Sequence, residues 1–179
     1  MPEQTVPQLR MGFRAFDSLA TAEPVTGYGL RTFRPGDEDA WVALLSSGDF
    51  GAWDRARLDR MLGGDRAPMP YEGIFFATQD DRPVGVANCF FYAYDDPPAA
   101  EIGWVVVAPE HRGHGLAKMI LTGALCFVRD RRYRYAFLKT ENYRIAAIRT
   151  YLRIGFEPEM VAPSHPEWWA SLRASLPGP

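Results

Sequence analysis

Arg112-Gly113-His114-Gly115-Leu116-Ala117-Lys118 sets two glycines between two cations at an abrupt change of hydrophobic period. Before it, Trp104 to Val107 are the aromatic and β-branched types of a buried strand, and Pro109 stops that strand. A helix-period pattern begins at Leu116. Glycine at 113 and 115 has no Cβ, so a ligand can approach the main chain closely. The first N–H groups of a helix lack intrahelical partners, and the helix dipole adds about half a positive charge there. A phosphate or pyrophosphate suits such a junction.

The loop types that hold phosphate differ in which residue must be small and which charged. No stretch of the chain supplies Gly-x-x-x-x-Gly-Lys-Ser/Thr. A dinucleotide fingerprint needs a small residue three places after the second glycine, where Lys118 stands. What remains, Arg-x-x-Gly-x-Ala at Arg112, Gly115 and Ala117, resembles the acetyl-CoA loop of the GNAT acetyltransferases. A glycine-bearing turn that binds nothing is the simpler alternative. A second segment, from Leu138 through Tyr151 to Gly155-Phe156, resembles the strand, helix and Gly-Phe ending of that family, in the same order.

The resemblance runs from about Leu30 to about Val161. Residues 1–29 then stand as an N-terminal extension, and 162–179 as a C-terminal tail with a short helix. The fold it implies is a mixed α/β domain: a central twisted sheet of about six to seven strands flanked by about four helices. The resemblance also implies that two strands part, with the pantetheine arm of acetyl-CoA between them. Backbone groups of Val105, Val106 and Val107 would meet that arm, and the amides of Arg112, Gly113, His114, Gly115, Leu116, Ala117 and Lys118 would hold the pyrophosphate. Arg112 and Lys118 would add charge, although both also read as solvated surface cations. Tyr151 occupies the place of the phenol that protonates the departing sulfur.

Glu101 is the candidate general base, taking a proton from the incoming ammonium, often through water. Other members carry a glutamate twelve residues before the tyrosine, where this chain has Lys139. The asparagine that many members place seven residues before the tyrosine is Arg144 here; Asn142, two residues earlier, is a candidate helix cap, and either could reach the coenzyme. The activity implied is direct acetyl transfer from acetyl-CoA to an amine, of a small molecule or a protein, in a ternary complex. A non-catalytic acyl-CoA-binding or sensing module and a protein-interaction domain stand as the alternatives.

The elements that must position these groups alternate along the chain. Leu30 to Arg34 reads as a strand, and Pro35-Gly36-Asp37 as a turn and N-cap for a helix carrying Trp41, Leu44 and Leu45. A second helix runs from Trp53 to Leu62, and a Gly-Gly loop leads to Met69-Pro70. Ile74 to Thr78 and Val84 to Tyr94 flank a hairpin turn at residues 79–82. Leu116, Met119, Ile120, Gly123, Ala124, Phe127 and Val128 make an apolar helical stripe. Tyr135 to Thr140 is a strand, Ile145, Ile148 and Leu152 mark the next helix, and Gly155 caps it.

Composition bounds the rest. The chain has 179 residues, 47% apolar and 23% charged, with a net charge of −2. A pI near 5.9 gives no general attraction to nucleic acid or an anionic membrane. The longest apolar run, Met119 to Val128, is short of the roughly 20 residues that span a bilayer, and no secretory pattern is read, so a cytoplasmic location is expected. Cys89 and Cys126 are read as buried structural thiols, and His111 and His114 as structural or solvent groups, so no metal is expected. His165-Pro166-Glu167-Trp168-Trp169 in the tail is assigned to a cleft cap or a homodimer contact. The acceptor wall is drawn from the early helices, the strand of Phe90, Phe91, Tyr92 and Tyr94, and Trp104.

Overall fold

A computed structural model describes residues 8–48, 50–63 and 67–175. Residues 1–7, 64–66 and 176–179, parts of the expected extension, Gly-Gly loop and tail, lie outside the described residues. In chain order the elements are β1 (Gln8–Phe13), β2 (Gly29–Thr32), α1 (Glu38–Ser47), α2 (Arg55–Leu62), β3 (Ile74–Gln79), β4 (Arg82–Tyr92), β5 (Ala99–Val107), α3 (Leu116–Asp130), β6 (Ala136–Glu141), α4 (Ile145–Ile154), β7 (Glu157–Glu159) and α5 (His165–Ser175). The strands form one seven-stranded sheet in the order β2-β3-β4-β5-β6-β1-β7. Only β5 and β6 run parallel; the other pairs are antiparallel. This is the mixed α/β architecture the sequence implied.

Alternation along β4 sends successive side chains into separate apolar layers, as a strand with both faces covered requires. Ala87, Cys89 and Phe91 enter a layer with α3, α4 and α5, where Leu116, Ile120, Ala124, Ile148 and Trp169 are buried. Val86 and Phe90 enter the layer under α1 and α2 with Trp41, Leu45, Leu58 and Phe76. The predicted stripe of α3 holds, and Leu121 and Leu125 are buried as well. Phe127 and Cys126 are only half-buried, the Cys126 thiol lying 3.7 Å from the carbonyl of Ala20. The turn at 79–82 places Asp80 and Asp81 at φ 49° and 63°, the left-handed pair that a two-residue hairpin favours. Gly155 takes φ 108° at the end of α4, and Phe156 folds back to stack near Phe13.

Several expectations need correction. The segment before residue 30 contributes to the sheet: β1 lies between β6 and β7, with Leu9, Met11 and Phe13 buried. The Asp37 carboxylate does not cap α1; it is taken by the Arg31 guanidinium at 2.7 Å and the Arg34 N–H at 2.7 Å. Helix α2 begins at Arg55 rather than Trp53, because Asp54 caps it through the N–H of Arg57 at 2.7 Å. The tail helix forms, with Trp169 2% exposed in the domain's own core and Trp168 partly buried against it. His165 pins α5, its Nε2 lying 3.0 Å from the carbonyl of Gln8.

Candidate functional site

The site starts from a fault in the sheet. Between the pairs Val86↔Val106 and Asn88↔Gly103, Ala87 alone opposes both Trp104 and Val105. This is a β-bulge, and Trp104 sits there at φ 53°, a conformation a tryptophan holds only under constraint. On the other side, β5 pairs with β6 only at Ala100↔Ala136 and Glu101↔Phe137. Beyond that point β5 continues to Val107 and β6 to Glu141 without pairing. The strands part, and the edge of β5 facing the gap keeps its main-chain groups available.

Beside that gap lies a cleft of about 870 Å³, lined by Val105, Val106 and Val107 at the end of β5, by the loop into α3, by Tyr143 and Arg144, and by α4. Arg112, Gly113, Gly115, Leu116, Ala117, Lys118 and Arg144 all border it. Gly113 and Gly115 both adopt φ 83°, with open space where a Cβ would stand. No side chain caps α3, whose first backbone bond is the Met119 N–H to the Gly115 carbonyl. The N–H groups of Leu116, Ala117 and Lys118 therefore lack intrahelical partners at the cleft wall. Anchorage of α3 in the core holds these amides in place before any ligand arrives.

The cations are less available than their spacing suggests. Arg112 Nε donates to the Val107 carbonyl at 3.1 Å, fastening the loop to the end of β5. Lys118 Nζ is paired with Glu23 at 3.1 Å, and both are exposed. His114 does not line the cleft; its ring packs 5.7 Å from that of Tyr28, which also meets His111 Nδ1 at 3.1 Å. Asn142 neither lines the cleft nor caps α4, because Arg144 holds the N-cap position and no side chain caps that helix. Arg144 pairs with Glu141, and its guanidinium lies 4.6 Å over the Phe50 ring.

Tyr151 projects from α4 to the cleft and is 6% exposed. Among the described residues nothing hydrogen-bonds its hydroxyl. Burial pushes the phenol up to about 12, with smaller opposing effects from the Arg144 guanidinium and the Glu141 carboxylate, so it keeps its proton at neutral pH. Glu101 is buried at the last β5–β6 pair and does not line the cleft. Its Oε2 accepts from the Tyr92 hydroxyl at 2.8 Å, with Lys139 Nζ 3.9 Å away.

The model of the acetyltransferase (GNAT) family matches residues 38–156. The chain belongs to that family. Among curated relatives, a mycothiol acetyltransferase of Thermobispora bispora is 32% identical over 150 residues, covering 77% of this chain and 49% of the relative. One from Acidimicrobium ferrooxidans is 32% identical, covering 86% of this chain and 51% of its own. The chain thus spans about half the length of the curated relatives it matches. A solved GCN5-related N-acetyltransferase from Sphaerobacter thermophilus superposes with a TM-score of 0.71 at 25% identity, over 85% of this chain and 48% of that one. An aminoglycoside N-acetyltransferase in complex with CoA shares the fold at 19% identity and TM-score 0.62, covering 80% of this chain and 96% of the other.

Within this family member, sequence reasoning missed what flanks the gap on the side of α1 and α2. The segment joining those helices brings Phe50 and Trp53 against Trp104, with ring centroids 5.3 Å and 4.9 Å apart. Arg57 covers Trp53 as Arg144 covers Phe50, so a continuous stack of cations and rings links α2, the bulge and the start of α4. Trp53 and Trp104 are visible as aromatic residues in the sequence, but their meeting depends on the bulge.

Proposed function

We propose that this chain is an acetyl-CoA-dependent N-acetyltransferase that passes the acetyl group directly to an amine. The observation that carries the reading is the cleft at the end of β5, between the α3 loop and α4, with unpartnered α3 amides along its wall and a protonated, otherwise unbonded phenol in it. The residues fit the coenzyme: the glycines leave room for a diphosphate, and the free edge of β5 suits an extended amide-bearing arm. The backbone of Val105 to Val107 would orient that arm, and the amides of Gly113 to Lys118 the phosphates.

The ammonium sheds two protons, one before it attacks and the other to solvent as the tetrahedral adduct collapses and the coenzyme leaves as a thiolate. Glu101 accepts one from the incoming ammonium through water, since its carboxylate stands outside the cleft lining and is already bonded to Tyr92. Tyr151 then faces the leaving sulfur. A phenol near 12 is a weaker acid than a thiol at about 8.5, so Tyr151 stabilises the thiolate by donating a hydrogen bond rather than by giving its proton up. Arg112 and Arg144 act on geometry, the former by holding the loop to β5 and the latter by closing the start of α4.

The test is acetyl transfer to a panel of amines, followed by release of free thiol. Tyr151→Phe should lower kcat by about 10- to 100-fold while coenzyme-induced thermal stabilisation stays at the wild-type level. Glu101→Gln should lower kcat/KM most near neutral pH, where the acceptor is still an ammonium and needs a base, and least at high pH, where the amine is already free. Stabilisation by coenzyme without turnover of any amine would favour a non-catalytic acyl-CoA-binding module. Absence of stabilisation would end both readings.

A further inference from the structure

His111 lines the cleft from the turn that joins the end of β5 to the α3 loop. Its ring is held by a residue from another part of the chain. Tyr28, just ahead of β2, sets its hydroxyl 3.1 Å from His111 Nδ1, with the two rings edge to face at 87° and centroids 5.8 Å apart. Tyr28 itself does not line the cleft, so Nδ1 is turned to a group outside that space. The main chain is fixed as well: the His111 N–H donates to the Ala108 carbonyl at 2.9 Å, and the His111 carbonyl lies 3.2 Å from His114 Nδ1. Nothing among the described residues bonds His111 Nε2.

A neutral imidazole carries one N–H and one bare nitrogen, and the partner of either nitrogen decides which is which. A phenol O–H is a better donor than an imidazole N–H, so Tyr28 gives its hydrogen to Nδ1 and the ring proton stays on Nε2. The cations around the loop are engaged elsewhere. Arg112 Nε is on the Val107 carbonyl, Lys118 is paired with Glu23, and Arg144 with Glu141. His111 therefore brings a side-chain donor with no protein acceptor to the wall that also carries the unpartnered α3 amides. Its partner Tyr28 comes from outside residues 38–156, the part of the chain that the family model matches.

We infer that His111 is a coenzyme-binding residue whose Nε2–H donates to a phosphate oxygen of the coenzyme, and that Tyr28 is the positioning residue that keeps the proton on that nitrogen. The inference rests on the acetyl-CoA reading and deepens it, since it adds a side chain to a site otherwise built from main-chain amides. Two phosphate groups of the coenzyme offer this chemistry, the diphosphate and the 3′-phosphate, and dephospho-CoA carries only the first.

Two amide substitutions separate binding from scaffolding. In His111→Asn the side-chain nitrogen falls near the place of Nδ1, which keeps a partner for Tyr28 and removes the donor to the cleft. In His111→Gln the amide reaches the place of Nε2, which keeps that donor and gives up Tyr28. Calorimetric titration with CoA should show Kd raised about 10- to 100-fold in His111→Asn, the loss of one charge-assisted hydrogen bond, and only a few-fold in His111→Gln. An equal loss with dephospho-CoA assigns the bond to the diphosphate, and a loss with CoA alone assigns it to the 3′-phosphate. A merely structural histidine gives the opposite order, with His111→Asn the milder change, and that order would overturn the inference. Tyr28→Phe should raise Kd a few-fold. The chain has 3 histidines, so imidazole ¹⁵N spectra at alkaline pH, where the rings are neutral, resolve the tautomer directly. His111 should carry its proton on Nε2 in the wild type and on both nitrogens in exchange in Tyr28→Phe. A wild-type proton on Nδ1, or a tautomer indifferent to Tyr28→Phe, would remove the positioning role and with it the inference. Amine turnover is scored separately. The expected Kd pattern without transfer ends the enzyme reading alone, transfer with wild-type coenzyme affinity in His111→Asn ends this inference alone, and no binding of CoA by the wild type ends both.

Discussion

An alanine at Gly115 isolates the anion site from the stability of the fold. Gly115 adopts φ 83° and has nothing within 4 Å of a would-be Cβ, so the substitution meets no clash. Its cost is backbone strain alone, about 1–2 kcal/mol for an L-residue held in the left-handed region. Gly36, in the turn before α1, is the matched control, with φ 103° and equally empty surroundings but no place in the cleft. Both variants should lose the same stability, roughly 2–8 °C in Tm for a domain of this size. They should part when coenzyme is added. A methyl group at residue 115 stands where a diphosphate would approach the first-turn amides of α3, and charge-assisted hydrogen bonds contribute about 1.5–3 kcal/mol each. Losing one or two of them raises Kd on the order of 100-fold. At a coenzyme concentration about 100 times the wild-type Kd, linkage stabilises the wild type and Gly36→Ala by about 2.7 kcal/mol, and Gly115→Ala by only about 0.4 kcal/mol. Thermal denaturation with and without CoA reads the difference. A full coenzyme shift in Gly115→Ala, or its loss in Gly36→Ala, would refute the phosphate-loop argument.

The remaining expectations concern the scaffold. Met11 is fully buried on β1, so Met11→Ala should destabilise by about 2–5 kcal/mol in urea titration, whereas a dispensable extension would tolerate it. Acid stability should depend on Asp37 and Glu159. Burial raises both carboxyls, but Arg31 and the Arg34 N–H outweigh it at Asp37, as Tyr135, Arg14 and Arg10 do at Glu159, and both end below their ordinary range. A depressed carboxyl contributes stability that is present above its unfolded value, about 4, and lost as pH falls through the folded one. Asp37→Asn and Glu159→Gln should therefore flatten the acid limb of the stability profile below pH about 4 and leave its shape near neutrality unchanged.

How far the sequence reaches can be traced through particular residues. Elements whose burial is one-sided or whose ends carry punctuation were readable: the α3 stripe, the Asp80-Asp81 hairpin and the Gly155 cap each rest on a local rule. Strand β1 obeys a local rule too, with Leu9, Met11 and Phe13 in alternation, yet a six-residue strand far from its partners carries no sign of which sheet receives it. Its pairing with β6 spans more than a hundred positions and is fixed only when the core closes. The carboxylate of Asp37 shows the same limit at smaller scale. An aspartate before a helix reads as a cap, but the Arg31 guanidinium on the neighbouring strand, with the Arg34 N–H, draws the carboxylate away from the first turn of α1.

The site divides along the same line. Backbone chemistry at the α3 loop was legible because glycine, helix start and strand end are contiguous in the chain. Side-chain chemistry was legible only where a single residue faces the cleft, as Tyr151 does, and even there burial moves the phenol well above the value expected of a free tyrosine. The aromatic cluster beside the gap is a product of register. One extra residue in β5 turns Trp104 to φ 53°, aims its ring at Phe50 and Trp53, and sets Gly103 opposite Asn88. Remove that residue and every side chain after it changes face, so Val105 and Val107 would leave the cleft together with the tryptophan. The bulge therefore fixes the β5 residues that line the cleft and the aromatic cluster together, and a variant that deletes it should lose coenzyme-induced stabilisation along with the tryptophan packing.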